Sequence, residues 1–152
     1  AGPADPSHAW ALSVGNRLFE TTDKGRTWEL RQPGGWGALT AFVEGGKTIL
    51  VAVGSSGLGR SDDGGRTWTA LGQPAGQLAS LAASADGGVL YAGTTEGVSG
   101  STDGGRSWAT TPLATVGVTV AVFPQDPDIV AVVDDKTRFF RSTDSGATWP
   151  GP

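Results

Sequence analysis

The chain has 152 residues, with 15 acidic against 11 basic side chains and a formal net charge of −4 spread along its length. It has no basic tract to neutralise successive phosphates, which sets nucleic acid aside as a partner, and no run approaches the ~20 apolar residues of a membrane-spanning helix. With no cysteine and one histidine, His8, disulfides, thiolate catalysis and metal centres built from Cys or several His are excluded, and neither a cofactor nor a metal is expected.

The 25 glycines follow no triplet period, so they suit frequent tight turns in one domain over 1–152. In chain order, AWALSV at 9–14 is the first short apolar run. RLFE at 17–20, the phrase TTDKGRTW at 21–28 and TWEL at 27–30 follow it. The next stretch is fuller: LTAFV at 39–43, ILVAVG at 49–54, GLGR at 57–60, SDDGGRTW at 61–68 and TWTAL at 67–71. The third repeats the order with LASLAA at 78–83, VLYAG at 89–93, GVSG at 97–100, STDGGRSW at 101–108 and SWATT at 107–111. The last holds VTVAVF at 118–123, IVAVV at 129–133, RFFR at 138–141, STDSGATW at 142–149 and the stub TWP at 148–150.

Trp28, Trp68, Trp108 and Trp149 close the four phrases and fall 40, 40 and 41 residues apart. A constant period of this size marks a repeat architecture. The β-branched runs bounded by Gly, Asp and Pro read as strands A to D of an antiparallel unit, with no competing helical period. The expected fold is all-β, a β-propeller of four-stranded blades at about 1–34, 35–74, 75–114 and 115–152. GG at 45–46, ADGG at 85–88 and PQDPD at 124–128 are expected to turn strand A into strand B.

The phrase itself forms the C-to-D turn. Asp23, Asp63, Asp103 and Asp144 are placed to accept from the turn's own backbone, Gly25, Gly65, Gly105 and Gly146 to permit positive φ, and Trp28, Trp68, Trp108 and Trp149 to pack over it. All twelve are expected to be structural, since a turn is needed in every blade whereas a site is usually singular.

The shared phrase [ST]-x-D-x-G-x-[ST]-W resembles the Asp-box, or bacterial neuraminidase repeat, of sialidases, xyloglucanase-type hydrolases, sortilin-type receptors and photosystem II assembly factors. The resemblance covers residues 21–149 and implies propeller blades, with the box lying away from the ligand face. It also implies an extracytoplasmic or secreted setting.

At a step of 40, strand A of the first blade falls on about −1 to 3, and strand D of the fourth stops at TWPGP. The first and last blades are therefore expected to be incomplete. Three readings stay open: a compact four-bladed ring, a partial propeller that associates with another copy, or a piece of a longer chain. The expectation favours association or a longer parent.

The catalytic set that a sialidase resemblance would require is not met: no Arg-Ile-Pro occurs, and the one tyrosine, Tyr91, falls inside a strand. Glu96 with Asp134 or Asp135 is conceivable as a glycosidase pair and is read instead as turn residues; Asp86, Asp126 and Asp128 are read as solvated turns rather than Ca²⁺ ligands. No catalytic residue is assigned. In propellers the D–A and B–C loops share the ligand face, which here carries Asn16, Trp36, Gln77, Glu96, Asp134 and Lys136. Trp36 stands outside the repeated tryptophan column, so it either stacks on a ligand or plugs a blade junction. The expected function is a non-catalytic interaction module for a protein or carbohydrate ligand, able to self-associate. The alternative is a fragment of a carbohydrate-active hydrolase whose catalytic residues lie elsewhere.

Overall fold

A computed structural model describes residues 5–113, 115, 118–123 and 125–150. Among them the chain forms fourteen strands in four antiparallel sheets, without a helix. Among the described residues no helix is long and apolar enough to cross a membrane. The chain divides into two compact units, Ala1–Leu71 and Gly72–Pro152, and each holds two sheets.

In the first unit, β1 (Ala9–Leu12), β2 (Leu18–Thr21) and β3 (Glu29–Gln32) make sheet 1. Sheet 2 runs β4 (Leu39–Glu44), β5 (Lys47–Gly54), β6 (Gly57–Ser61) and β7 (Thr69–Ala70). Leu18, Phe42, Ile49, Leu50, Val51, Ala52 and Leu58 are all buried, as the apolar runs require. The two sheets lock together through backbone as well as apolar contact. Trp10 Nε1 donates to the Gly64 carbonyl at 3.2 Å, and Gln32 Nε2 to those of Gly65 and Arg66, each at 3.2 Å.

In the second unit, sheet 3 holds β8 (Leu78–Ala83), β9 (Leu90–Thr94), β10 (Gly97–Ser101) and β11 (Ala109–Thr110). Sheet 4 holds β12 (Thr119–Phe123), β13 (Asp126–Val133) and β14 (Phe139–Ser142). Tyr91, Val98, Leu113, Val118, Val120, Val130 and Val132 form one buried cluster between them. Gly93 has to be glycine here, because a Cβ would sit 2.4 Å from Val118 Cγ2 and 2.6 Å from its carbonyl oxygen. Ser80 Oγ bridges the sheets, donating to Val118 O at 2.8 Å and accepting from Val120 N at 3.1 Å.

The expected column order is present in every sheet, with three differences. Strand D is only two residues long in sheets 2 and 3 and starts after the tryptophan. The expected A-to-B turn at 124–128 is shorter, since β13 already begins at Asp126, paired with Phe123 across a bulge. Register in sheet 1 is offset by one: Ala9 faces Thr21, whereas the expected columns would set Trp10 there, as Leu50 faces Ser61 in sheet 2. The strand A expected at about −1 to 3 lies outside the described residues.

The four phrases fold alike. Asp63 accepts Thr67 N–H at 2.9 Å, Thr67 Oγ1–H at 2.6 Å and Ser61 Oγ–H at 2.8 Å, while Ser61 Oγ accepts Gly65 N–H at 2.8 Å. The same bonds recur around Asp23, Asp103 and Asp144. Trp28, Trp68, Trp108 and Trp149 each donate Nε1–H to the carbonyl of the turn glycine. That glycine has φ of 85°, 88°, 88° and 78° in the four turns. Hydrogen bonds, led by that from the Thr or Ser hydroxyl at the phrase's seventh position, hold each Asp carboxyl at about 2.

Candidate binding site

The loop residues singled out by sequence fall into separate groups. In the first unit Asn16 sits exposed at φ 55° between β1 and β2, and its carbonyl accepts Trp36 N–H at 3.1 Å. The Trp36 ring lies on Trp68, with centroids 4.2 Å apart at 34°. Its other flank touches Gly54, where a Cβ would come within 3.2 Å of the ring. Trp36 is thus half-buried by packing, and only part of the indole faces solvent.

In the second unit Gln77 and Thr95 exchange two hydrogen bonds of 2.9 Å, Gln77 N–H to Thr95 Oγ1 and Thr95 N–H to Gln77 O. Glu96 follows in the same tight turn with its side chain exposed. Asp134 lies in the β13–β14 loop, as expected of a turn residue, but it is buried at 4% exposure. Its carboxylate accepts Thr115 Oγ1–H at 3.0 Å, Arg138 Nε–H at 2.7 Å, and the backbone N–H groups of Lys136 at 2.9 Å and Arg138 at 2.8 Å. Burial opposes the charge, yet these bonds outweigh it and hold the carboxyl at about 2. Lys136 extends beside it into solvent. Among the described residues no hydrogen bond or ion pair joins Glu96 to Asp134.

Sequence reading missed a second place. Between sheets 1 and 2, at the end carrying the repeated turns, a cleft of about 520 Å³ is lined by Asp5, His8, Trp10, Glu20, Arg31 and Lys47, with others. His8 stacks on Trp10 with centroids 5.5 Å apart at 13°, and its Nε2 lies 3.7 Å from Glu20 Oε1. Glu20 is 5% exposed and bonded to the Arg31 guanidinium, whose Nη2 also meets Glu29 at 2.9 Å. One signal was available in the sequence: Glu20 stands where the other units have Arg60, Gly100 and Arg141. The cleft offers an aromatic face ringed by mixed charges, with Arg31 already paired to Glu20 and Glu29.

Tyr91 belongs to the buried cluster, with 2% exposure and its hydroxyl 3.4 Å from the Pro127 carbonyl. Burial pushes its phenol up, opposite to the activation that a nucleophile needs.

No protein-family model matches the chain, and no curated protein matches it. Solved structures do. A GH74 enzyme from Niastella koreensis superposes over 99% of this chain with a TM-score of 0.77 at 20% identity. The fold is a β-propeller's. YCF48 from Cyanidioschyzon merolae shares the blades over 99% of this chain (TM-score 0.64, 17% identity), and a YCF48 bound to D1 peptide does so over 97% (TM-score 0.54, 15% identity). The propeller blades described here span 28% of the GH74 chain, 53% of the first YCF48 chain and 78% of the second.

Proposed function

We propose that the chain is a non-catalytic interaction module on an Asp-box propeller scaffold, set outside the cytoplasm and able to self-associate. The observation that carries this reading is that six carboxylates are committed to structural bonds. Asp23, Asp63, Asp103, Asp144 and Asp134 are held at about 2 by structural hydrogen bonds, and Glu20 is tied to Arg31. A general acid needs the reverse, a carboxyl raised toward the working pH. Ligand contact then falls to uncommitted side chains: Asn16 and the open part of Trp36 in one unit, and Gln77, Glu96 and Lys136 in the other. These amides, charges and one indole suit a protein or carbohydrate surface. A solved neighbour of the same fold is bound to a peptide, which favours protein.

Peptide and glycan arrays probed with the wild-type chain, Trp36→Ala and Glu96→Ala test the reading. Binding weakened by either substitution supports it; equal binding by both variants removes these loops from the site. The likeness to a GH74 enzyme supports a second reading, a segment of a carbohydrate-active hydrolase. In that reading the catalytic residues lie elsewhere, so turnover of fluorogenic glycosides by this chain alone would overturn both it and the non-catalytic module.

A further inference from the structure

Two openings in the molecule occupy the same place in two different joints. The cleft between sheets 1 and 2 has a counterpart between sheets 3 and 4, a slot of about 350 Å³ lined by Tyr91, Gly100, Ala109, Thr111, Asp144 and Ala147, with others. The strand registers match the linings residue by residue. Trp10 pairs with Glu20 and Glu20 with Glu29, as Tyr91 pairs with Gly100 and Gly100 with Ala109. Arg31 and Thr111 each follow two positions later. In the first joint a guanidinium fills the place, because Arg31 is bonded to both Glu20 and Glu29. In the second, Gly100, Ala109 and Thr111 stand where that acid–base trio stands, and none of them reaches across the slot.

What surrounds the slot favours a cation. Asp144 on its rim is ionised, its carboxyl held at about 2, chiefly by the Thr148 hydroxyl. Burial raises the phenol of Tyr91 on the floor, and the charges of Asp128 and Asp144 act in the same direction. Among the described residues that line the slot there is no lysine or arginine, and Ala147 takes the place of Arg66 in the first joint. Thr111 Oγ1 is buried without a hydrogen-bond partner, whereas buried polar atoms of folded chains are nearly always bonded. It is an acceptor that a bound donor would satisfy.

We propose that the slot between sheets 3 and 4 receives an arginine side chain of a protein partner, which takes there the place that Arg31 holds between sheets 1 and 2. The planar guanidinium fork suits a gap between two sheets and offers several donors at once. Its methylene stem covers the exposed Ala109, Pro112 and Ala147 while the charge faces Asp144. The slot opens at the end of the sheets that carries the repeated turns, apart from the loops named above, so the reading of those loops stands or falls separately.

An isotope-labelled chain titrated by NMR with acetyl-Gly-Arg-Gly-amide, and with the neutral peptide that has citrulline in place of arginine, tests the proposal. The amide signals of Thr111, Gly146 and Ala147 are expected to shift with the arginine peptide, and the citrulline peptide to bind about tenfold more weakly. Thr111→Arg supplies a guanidinium from the position matching Arg31 and should abolish the shifts. Ala109→Glu, at an exposed position, restores the acid of Glu29 and should tighten binding several-fold. Far-UV circular dichroism checks that each variant folds. Signals that respond equally to both peptides or to neither, a folded Thr111→Arg chain that binds like wild type, or an Ala109→Glu chain that binds no tighter overturns the proposal.

Discussion

Gly65→Ala is the perturbation that most directly tests how the blades interlock. Gly65 has φ 88°, and holding an L-residue there costs about 1–2 kcal/mol. The new methyl would also lie 2.6 Å from Cδ2 of Leu18, which is 0% exposed and has no room to retreat. Overpacking of this kind costs roughly 1–3 kcal/mol more, for a total of about 2–5 kcal/mol. Gly46→Ala isolates the backbone part, because Gly46 has φ 78° and nothing within 4 Å of its would-be Cβ. Urea unfolding followed by tryptophan fluorescence should therefore show Gly65→Ala as the more costly change by ~1–3 kcal/mol. Leu18→Ala alone should cost about 2–5 kcal/mol through the cavity it leaves. Combined with Gly65→Ala it should cost less than the two separately, since the truncated side chain has no Cδ2 to collide with. Equal costs at Gly65 and Gly46, or strict additivity with Leu18→Ala, would refute the interlock.

Acid should loosen the fold over a defined window. Each turn Asp has a folded value of about 2, below the ordinary 3.8, so its ionised form favours the folded state. That stabilisation is whole above pH ~4 and is lost as pH falls toward 2, so the urea midpoint should drop across this interval, and less steeply in Asp63→Asn. Glu20→Gln, which leaves Arg31 without its buried partner, should destabilise by about 1.5–3 kcal/mol, measured as a shift in urea midpoint. Trp36→Ala should cost at least the ~0.5–1.5 kcal/mol of an aromatic pair and alter the emission of Trp68, whereas an unchanged spectrum would mean that the rings do not meet in solution.

The period made the strands legible, down to β8 at Leu78–Ala83, where the expected and observed limits coincide. Turn chemistry was legible for the same reason: Asp63, Gly65 and Trp68 bond within their own phrase, so spacing alone carries their geometry. The start of β13 was not, because Asp126, Pro127 and Asp128 have the composition of a turn while pairing across the strand at Phe123 overrides it. Asp134 read correctly as a loop residue, but its buried carboxylate bonds to Thr115, which lies 19 positions away. The His8, Glu20 and Arg31 cluster arises where strands of one sheet come into register, and no short spacing announces such a meeting. Trp36 on Trp68 is likewise a contact between a loop and a turn 32 positions apart.

The self-sufficiency of the repeated turn also bears on how such an array can grow. Because hydroxyl, carboxylate, glycine and indole satisfy one another inside eight residues, a copied segment brings its own corner with it. Between sheets 1 and 2 the two blades add a leucine side chain on one flank and a bare glycine on the other, at Leu18 and Gly65. The third step is 41 residues against 40 for the other two, and the Asp144 turn keeps the same bonds.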